Sequence, residues 1–383
     1  MTNAHHPHLP AEAWVTALSA LDGMGPASLR VLLDDHATAE EAWHTVRRRG
    51  FTPPPSAVPS SAAQVDRLVA AWSSTAATFD VAGCWQRHVE AGIGVVLRGS
   101  SSYPAAFVDD PEPPPILFHQ GDPDVVVGTR VAVVGTRDCT RYGYDLAFEL
   151  ARDLSAVGIS VVSGLALGID AAAHAGALDA GLAPPIAVVG SGLDVVYPRR
   201  NAPLWRRVAA RGVVWSEYPL GSAAAAWHFP ARNRLIAALA DVVVVVESHG
   251  RGGALLTARD AERRGRPVMA VPGPVHSPAS QGCNDLLADS PATAVARNAT
   301  DVLVAIGLQS RSQRPSTERR PRPSTADREV LEAIGWQPAT LDHLVLRTGL
   351  PIPELASALV RLEHDGWVAP RGGWYERVAK PGG

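Results

Sequence analysis

The sequence predicts an α/β fold: a doubly wound, mostly parallel sheet forms the body of the chain, with a helical region before it and a small winged-helix domain after it. Three observations carry this. Short apolar runs, Val131 to Val134, Ile159 to Val162, Ile186 to Val189, Val213 to Trp215, Val242 to Val246 and Val268 to Val271, recur with helical stretches between them. Such runs suit strands buried on both faces of a parallel sheet. Several stop at small residues, as at Gly135, Ser163-Gly164 and Gly190-Ser191-Gly192, where a turn leaves the carboxyl end of a strand. The alternation of strand and helix implies six or more strands joined by right-handed crossovers.

In chain order, residues 11 to 50 read as short helices. Leu18 and Leu21 precede the turn Gly23-Met24-Gly25, Pro26 stands at a helix start, and Leu29, Leu32 and Leu33 follow. The spacing resembles a helix-hairpin-helix, or SAM-like, unit, whose turn can offer N–H groups to phosphate. Here Asp22, Asp34 and Asp35 outweigh Arg30, which favours a structural or protein-contacting role. Pro53-Pro54-Pro55 and the Ser/Ala/Pro stretch to Ser61 form a linker or long loop. Helices are expected over about 62–74 and 80–91, which divides a helical domain, 1–75, from the α/β domain, 76–308.

Val95 to Leu97 open that domain, and Ile116 to Phe118 form a strand within a proline-rich stretch. Between the first two strands of the central unit, Leu146, Leu150, Leu154 and Val157 recur at helical spacing. Residues 309 to 324 are arginine- and proline-rich and read as a flexible basic linker. The last domain, 325–383, shows helices near 326–335, 340–347 and 353–364 and a hairpin across Arg371-Gly372-Gly373, the pattern of a winged helix. In its third helix, Glu354, Glu363 and Asp365 face only Arg361 and His364. Phosphates repel such a helix, so docking a protein is at least as good a reading as DNA contact.

At 383 residues the chain is too long for one core, and 46% hydrophobic with 19% charged residues argues against global disorder. A net charge of −3 requires any nucleic-acid surface to be local. Cys84, Cys139 and Cys283 are far apart and odd in number, which fits a reducing cytoplasm and neither a disulfide framework nor a zinc site. The start carries no secretion signal, His5, His6 and His8 read as part of a disordered terminus, and no apolar run is long enough for a membrane span.

The candidate site lies along the strand exits. Gly135-Thr136-Arg137 follows the first strand of the central unit, Ser163-Gly164 the second, and Gly190-Ser191-Gly192 leads from the third into Tyr197-Pro198-Arg199-Arg200-Asn201. Arg232-Asn233-Arg234 opens a helix, and the loop after the valine strand places Gly250, Gly252 and Gly253 ahead of another, with Thr257 in its first turns. Exits at the carboxyl ends of parallel strands are where open α/β sheets bind ligands, and helix N-termini favour anions. Several cationic or glycine-rich exits on one rim imply a ligand with several phosphates. Arg232 and Arg234 stand two apart and point to different sides, so one is expected to reach ligand and the other to be structural. His174, one turn after Asp170, is expected to be a buried hydrogen-bonding partner. Candidates for base stacking are Trp215, Trp227 and Phe229.

No enzyme machinery is visible. The first exit lacks the dinucleotide fingerprint, no Walker motif or nucleophile elbow occurs, and no metal-ligand cluster stands out. The expectation is a protein with no catalytic residues, cofactor or metal. The alternative, a phosphoribohydrolase-type nucleotide enzyme, rests on a faint likeness of GRGGALLTARDAE to PGGxGTxxE, with Arg251 where proline stands and Leu256 where glycine precedes threonine.

Taken together the segments YPAAF with DPEPPPILFHQG, VAVVGTR, SGLALGID with AAAH, GSGLDVVYPRRN, SEYPLG, FPARNRLIAALA, GGALLTARDA with GRPVMAVPG, and SQGCNDLL resemble the DNA-processing protein A family (DprA, also called Smf) across residues 103 to 287. The resemblance implies an extended Rossmann-like domain that binds single-stranded DNA and forms a homodimer, with helical N-terminal and winged-helix C-terminal companions. It implies hand-over of the strand to the RecA recombinase, past single-strand-binding protein, in natural transformation or recombination. By motif the DNA-binding role passes to Gly135, Thr136, Arg137, Ser163, Gly164, Arg199, Arg200, Asn201, Arg232, Asn233, Arg234, Gly253 and Thr257. The sequence departs from the pattern at Gly252 and Ala254, where the family writes serines, at Ala238 in the helix after the arginines, and at Asp289-Ser290-Pro291.

Overall fold

The computed structural model describes residues 9–55, 61–308, 320–335 and 338–378; the N-terminal histidines, part of the Pro/Ser loop and most of the basic linker lie outside the described residues. Five helices come first: α1 (Ala11–Ser19), α2 (Pro26–Asp34), α3 (Ala39–Arg47), α4 (Ala62–Thr78) and α5 (Val81–Glu90). Thr38 caps α3 by accepting from the Glu41 N–H, and Asp80 caps α5 by accepting from that of Gly83, contacts worth about 1 kcal/mol each. The Gly23–Gly25 turn packs against α4: Met24 is buried, and the Trp72 indole donates to the Asp22 carbonyl at 2.8 Å. The α4 helix runs on past residue 75 to Thr78, and the apolar cluster of these helices is continuous with one face of the sheet, joining Leu18, Leu32 and Trp72 to Phe118, Val189 and Trp205.

The α/β body follows as β1 (Gly94–Leu97), β2 (Ile116–Gly121), β3 (Arg130–Val134), α6 (Arg141–Ala156), β4 (Ser160–Ser163), α7 (Ile169–Ala180), β5 (Ile186–Val189), α8 (Ala202–Arg211), β6 (Val213–Ser216), α9 (His228–Leu239), β7 (Val242–Val245), α10 (Gly253–Arg263), β8 (Val268–Ala270), α11 (Gln281–Asp289), β9 (Ala294–Val295) and α12 (Ala299–Ala305). Among the described residues these strands form one sheet in the order β1-β2-β6-β5-β4-β3-β7-β8-β9. From β6 to β9 all pairs are parallel; β1 and β2 extend the sheet antiparallel. The valine runs alternate between two buried faces. Val131 and Val133 pack under α6 and α7, while Ala132 and Val134 pack under α9 and α10.

The chain builds outward from β3 to β4, β5 and β6, then crosses back over β3 to β7. That reversal is the topological switch of a doubly wound sheet, where the crevice outside the carboxyl ends opens. The returning segment is α9, so the residues it carries are delivered to the crevice. Sequence periodicity gives no warning of β9, because two residues make no run.

The C-terminal domain comprises α13 (Thr325–Ile334), β10 (Ala339–Thr340), α14 (Leu341–Thr348), α15 (Ile352–His364), β11 (Val368–Arg371) and β12 (Trp374–Arg377), with sheet order β10-β12-β11 around its own core. Arg320 and Pro321, expected in the linker, belong to this packing. The Arg320 guanidinium lies 3.8 Å from the Trp367 ring centroid, and the Trp367 indole donates to the Pro321 carbonyl at 2.9 Å. On α15, Arg361 is paired with Asp327 at 2.6 Å.

Candidate nucleic-acid interface

A groove of about 580 Å³ opens at the switch between β3 and β7. Its floor is the β3 exit, Gly135-Thr136-Arg137; one wall is α9 with Phe229, Arg232 and Asn233, and the far end is Gly252-Gly253-Ala254. A narrower recess beside it runs beneath Gly164, Tyr197 and Pro198. Residues remote in sequence therefore meet on one rim.

Arg137 is exposed, and its guanidinium lies 4.6 Å from the centroid of the Phe229 ring. The Tyr197 ring, 44% exposed, stands 5.4 Å from the Phe229 ring. A cation over an aromatic face is held by the ring quadrupole, and the aromatic surface left open can stack a base. Tyr197 is the functional candidate missed in the sequence; its one signal is its place at the head of the arginine-bearing PRRN segment.

Arg232 lines the same groove from below. It is 4% exposed, and one of its nitrogens donates to the Val188 carbonyl, while Nε has no partner among the described residues. Burial pulls its pKa down to about 10; the Asp170 carboxylate opposes the shift and the like charge of Arg137 adds to it. Arg232 therefore remains cationic at neutral pH, while burial raises the pKa of the nearby Asp170 and the Arg232 charge draws it back. Gly164 is required by this arrangement, since a β-carbon there would collide with the Arg232 guanidinium. Gly168 has φ of +74°, and a β-carbon there would meet the Thr136 and Arg137 carbonyls, so these two exits press together only with glycine.

At the far end, no side chain caps α10, and the amides of Gly253 and Ala254 border the groove at a helix N-terminus. Asn233 reaches across to it, its side-chain amide donating to the Gly253 carbonyl at 3.3 Å. The missing serine hydroxyls thus leave the backbone donors in place. The α6 N-terminus is different: Glu247, pushed up in pKa by burial and drawn back by Thr140, accepts from the Thr140 N–H at 2.9 Å and its hydroxyl at 2.6 Å. The Thr136 amide is likewise engaged, with the Glu247 carbonyl at 2.8 Å.

Other expected contacts are turned inward. Ser163 is fully buried and donates to the Val133 carbonyl at 2.7 Å, because strand alternation points it into the sheet. Thr257 is 1% exposed on the core side of α10. The Asn201 amide donates to the Leu165 and Ala166 carbonyls at 2.8 and 3.0 Å, so it pins the β4 exit. Arg234 makes a double contact with the buried Glu217 at 2.5 and 2.6 Å and donates to the Glu112 carbonyl at 2.7 Å. Of the two divergent arginines, Arg232 faces the groove and Arg234 is structural. Arg199 and Arg200 stand exposed directly after Tyr197-Pro198. Trp215 is 1% exposed in the core and unavailable to bases, whereas Trp227 is exposed. His174 is buried and, among the described residues, makes no bond to Asp170; the Ser163 backbone is the polar group beside its ring. Among the described residues no group of three or more His, Cys, Asp or Glu could hold a metal, and no helix is long and apolar enough to cross a membrane.

A family model described as DNA recombination-mediator protein A matches residues 94–307, and one for the DprA winged helix domain matches residues 314–373. Over 265 residues the chain is 41% identical to a putative DNA processing protein DprA of Mycobacterium tuberculosis H37Rv, covering 68% of this chain and 67% of that protein. Protein Smf of Escherichia coli K12 is 33% identical over 303 residues, with 78% and 80% covered. The X-ray structure of DNA processing protein A from Streptococcus pneumoniae superposes with a TM-score of 0.61 at 28% identity, over 77% of this chain and 96% of that one. A structure of the Helicobacter pylori protein, described for its single-stranded DNA binding mode, gives a TM-score of 0.50 at 29% identity, over 56% and 95%. The chain belongs to the DNA recombination-mediator protein A family, also called DprA or Smf.

Proposed function

We propose that this protein is a non-catalytic recombination mediator that binds single-stranded DNA in the rim groove and passes the strand to the RecA recombinase. The observation that carries the reading is the junction of Arg137, Phe229, Tyr197 and Arg232 at the switch point, where cations and open aromatic faces share one trough. A single strand offers phosphates to the guanidinium groups and unpaired bases to the rings; a duplex keeps its bases stacked inside. The Helicobacter pylori relative, described for its single-stranded DNA binding mode, supports the choice of ligand. A homodimer, displacement of single-strand-binding protein, a role in natural transformation and a cytoplasmic site of action complete the proposal and rest on the family.

Competition between single-stranded and duplex oligonucleotides of one sequence, at several salt concentrations, tests it. The single strand is expected to win at every concentration, with affinity falling steeply as salt rises. Equal competition by duplex would remove the proposed selectivity. RecA filament assembly on strands covered by single-strand-binding protein, with and without this protein, tests the hand-over separately; no acceleration would count against it.

A further inference from the structure

A second groove, of about 590 Å³, opens on the other side of Pro230, a residue that also borders the rim groove. The same two helices wall both. On α9, Arg232 faces the rim and Arg234 the second groove; on α10, Gly253 and Ala254 face the rim, and Arg259 and Arg263, further along, the second groove. Its outer wall comes from the helical N-terminal region, with Arg30 of α2.

The carboxylates here are already engaged. Asp260 is paired with Arg263 and Arg264, and Glu112 lies 3.5 Å from Arg264. Arg234 is held by Glu217. Arg30 on α2 and Arg259 on α10 both line the trough and make no close ion pair or hydrogen bond among the described residues; Arg30 feels the buried Glu217 carboxylate only at longer range. Two cations without a close acidic partner lining one trough favour an anionic occupant, and the trough borders the proposed strand-binding rim at Pro230.

We propose that the second groove is the continuation of the single strand's path, with Arg30 and Arg259 taking phosphates beyond those held at Arg137 and Arg232. The N-terminal helices would thereby contribute directly to DNA binding. The inference rests on the rim reading above, and it makes a separate prediction: it concerns long strands only.

The test uses the full chain and oligothymidylates of about 4 to about 16 nucleotides, the usual range for single-strand sites. Wild type is compared with the double variant Arg30→Gln, Arg259→Gln. The shortest strands are expected to bind both alike. The longest should bind the variant at least several-fold more weakly, with a salt slope shallower by about 1.4, which is roughly 0.7 for each lost phosphate contact. The lysine pair, Arg30→Lys with Arg259→Lys, should keep most of the slope, which separates loss of charge from damage to the fold. A double variant that binds every length as wild type does, or that weakens all lengths equally, overturns the proposal. Failure of the rim reading looks different: wild type itself binds no single strand of any length, and both proposals then fall.

Discussion

Arg137 and Phe229, from the β3 exit and the start of α9, meet with the guanidinium 4.6 Å from the ring centroid. The charge is thus held at the groove's mouth by a ring that also offers a stacking face. The two partners are expected to separate by salt dependence. Arg137→Ala should weaken single-strand binding and make the salt slope shallower by about 0.7, the share of one phosphate. Phe229→Ala should weaken it by about 1–3 kcal/mol at every salt concentration, since stacking is only weakly screened. Fluorescence anisotropy titrations at several salt concentrations read both effects. Identical slopes in wild type and Arg137→Ala would show that this arginine meets no phosphate.

Arg234 should behave as a structural residue. Its partner Glu217 is 3% exposed at the side chain, so Arg234→Ala leaves a buried carboxylate without its cation. A loss of about 3–5 kcal/mol in unfolding free energy is expected. Adding Glu217→Gln to that variant should recover part of the loss. Denaturant unfolding followed by circular dichroism measures this. Unchanged stability with abolished DNA binding would instead place Arg234 on the ligand.

His174 should make the fold acid-sensitive. Burial lowers its pKa from 6.5 to about 4, so the folded state keeps the ring neutral while the unfolded chain takes up a proton below about 6.5. More protons on the unfolded chain means stability that falls with pH, in the window from about 6.5 down to about 4. The full effect is about 3 kcal/mol, taken at 1.36 kcal/mol per pKa unit. His174→Leu removes the titrating ring from its buried site. Its unfolding free energy should decline less than wild type's across that window; parallel declines would mean that other groups govern the acid side.

The strands and their alternation with helices were legible because a buried parallel sheet needs uninterrupted apolar runs, and Val131 to Val134 or Val242 to Val245 fit nothing else as well. The rim was legible because strand exits are marked by glycine and serine. Which way a side chain turns at an exit was not. Ser163 and Asn201 occupy the expected exits yet bond to backbone carbonyls of neighbouring segments, Ser163 to Val133 of β3 and Asn201 to Leu165 of the β4 exit, and a hydroxyl or amide in sequence reads the same whether it serves the backbone or a ligand. The two-residue spacing of Arg232 and Arg234 showed that they diverge, but only the position of Glu217 decides which one is structural. Trp215 shows the limit from the other side: an aromatic at a strand end can as readily close the core as open a stacking surface. The Tyr197–Phe229 pairing depends on two segments converging in space, which no local pattern records.

Where the strand lies can be read directly by photocrosslinking a thymidine oligonucleotide carrying 5-iodouracil to the full chain and mapping the modified peptides. If the switch-point groove grips the strand, crosslinks will concentrate on the peptides containing Tyr197 and Phe229, and Arg137→Ala will deplete them at moderate salt. Crosslinks confined to the winged-helix domain, with Tyr197 and Phe229 unmodified, would contradict the account.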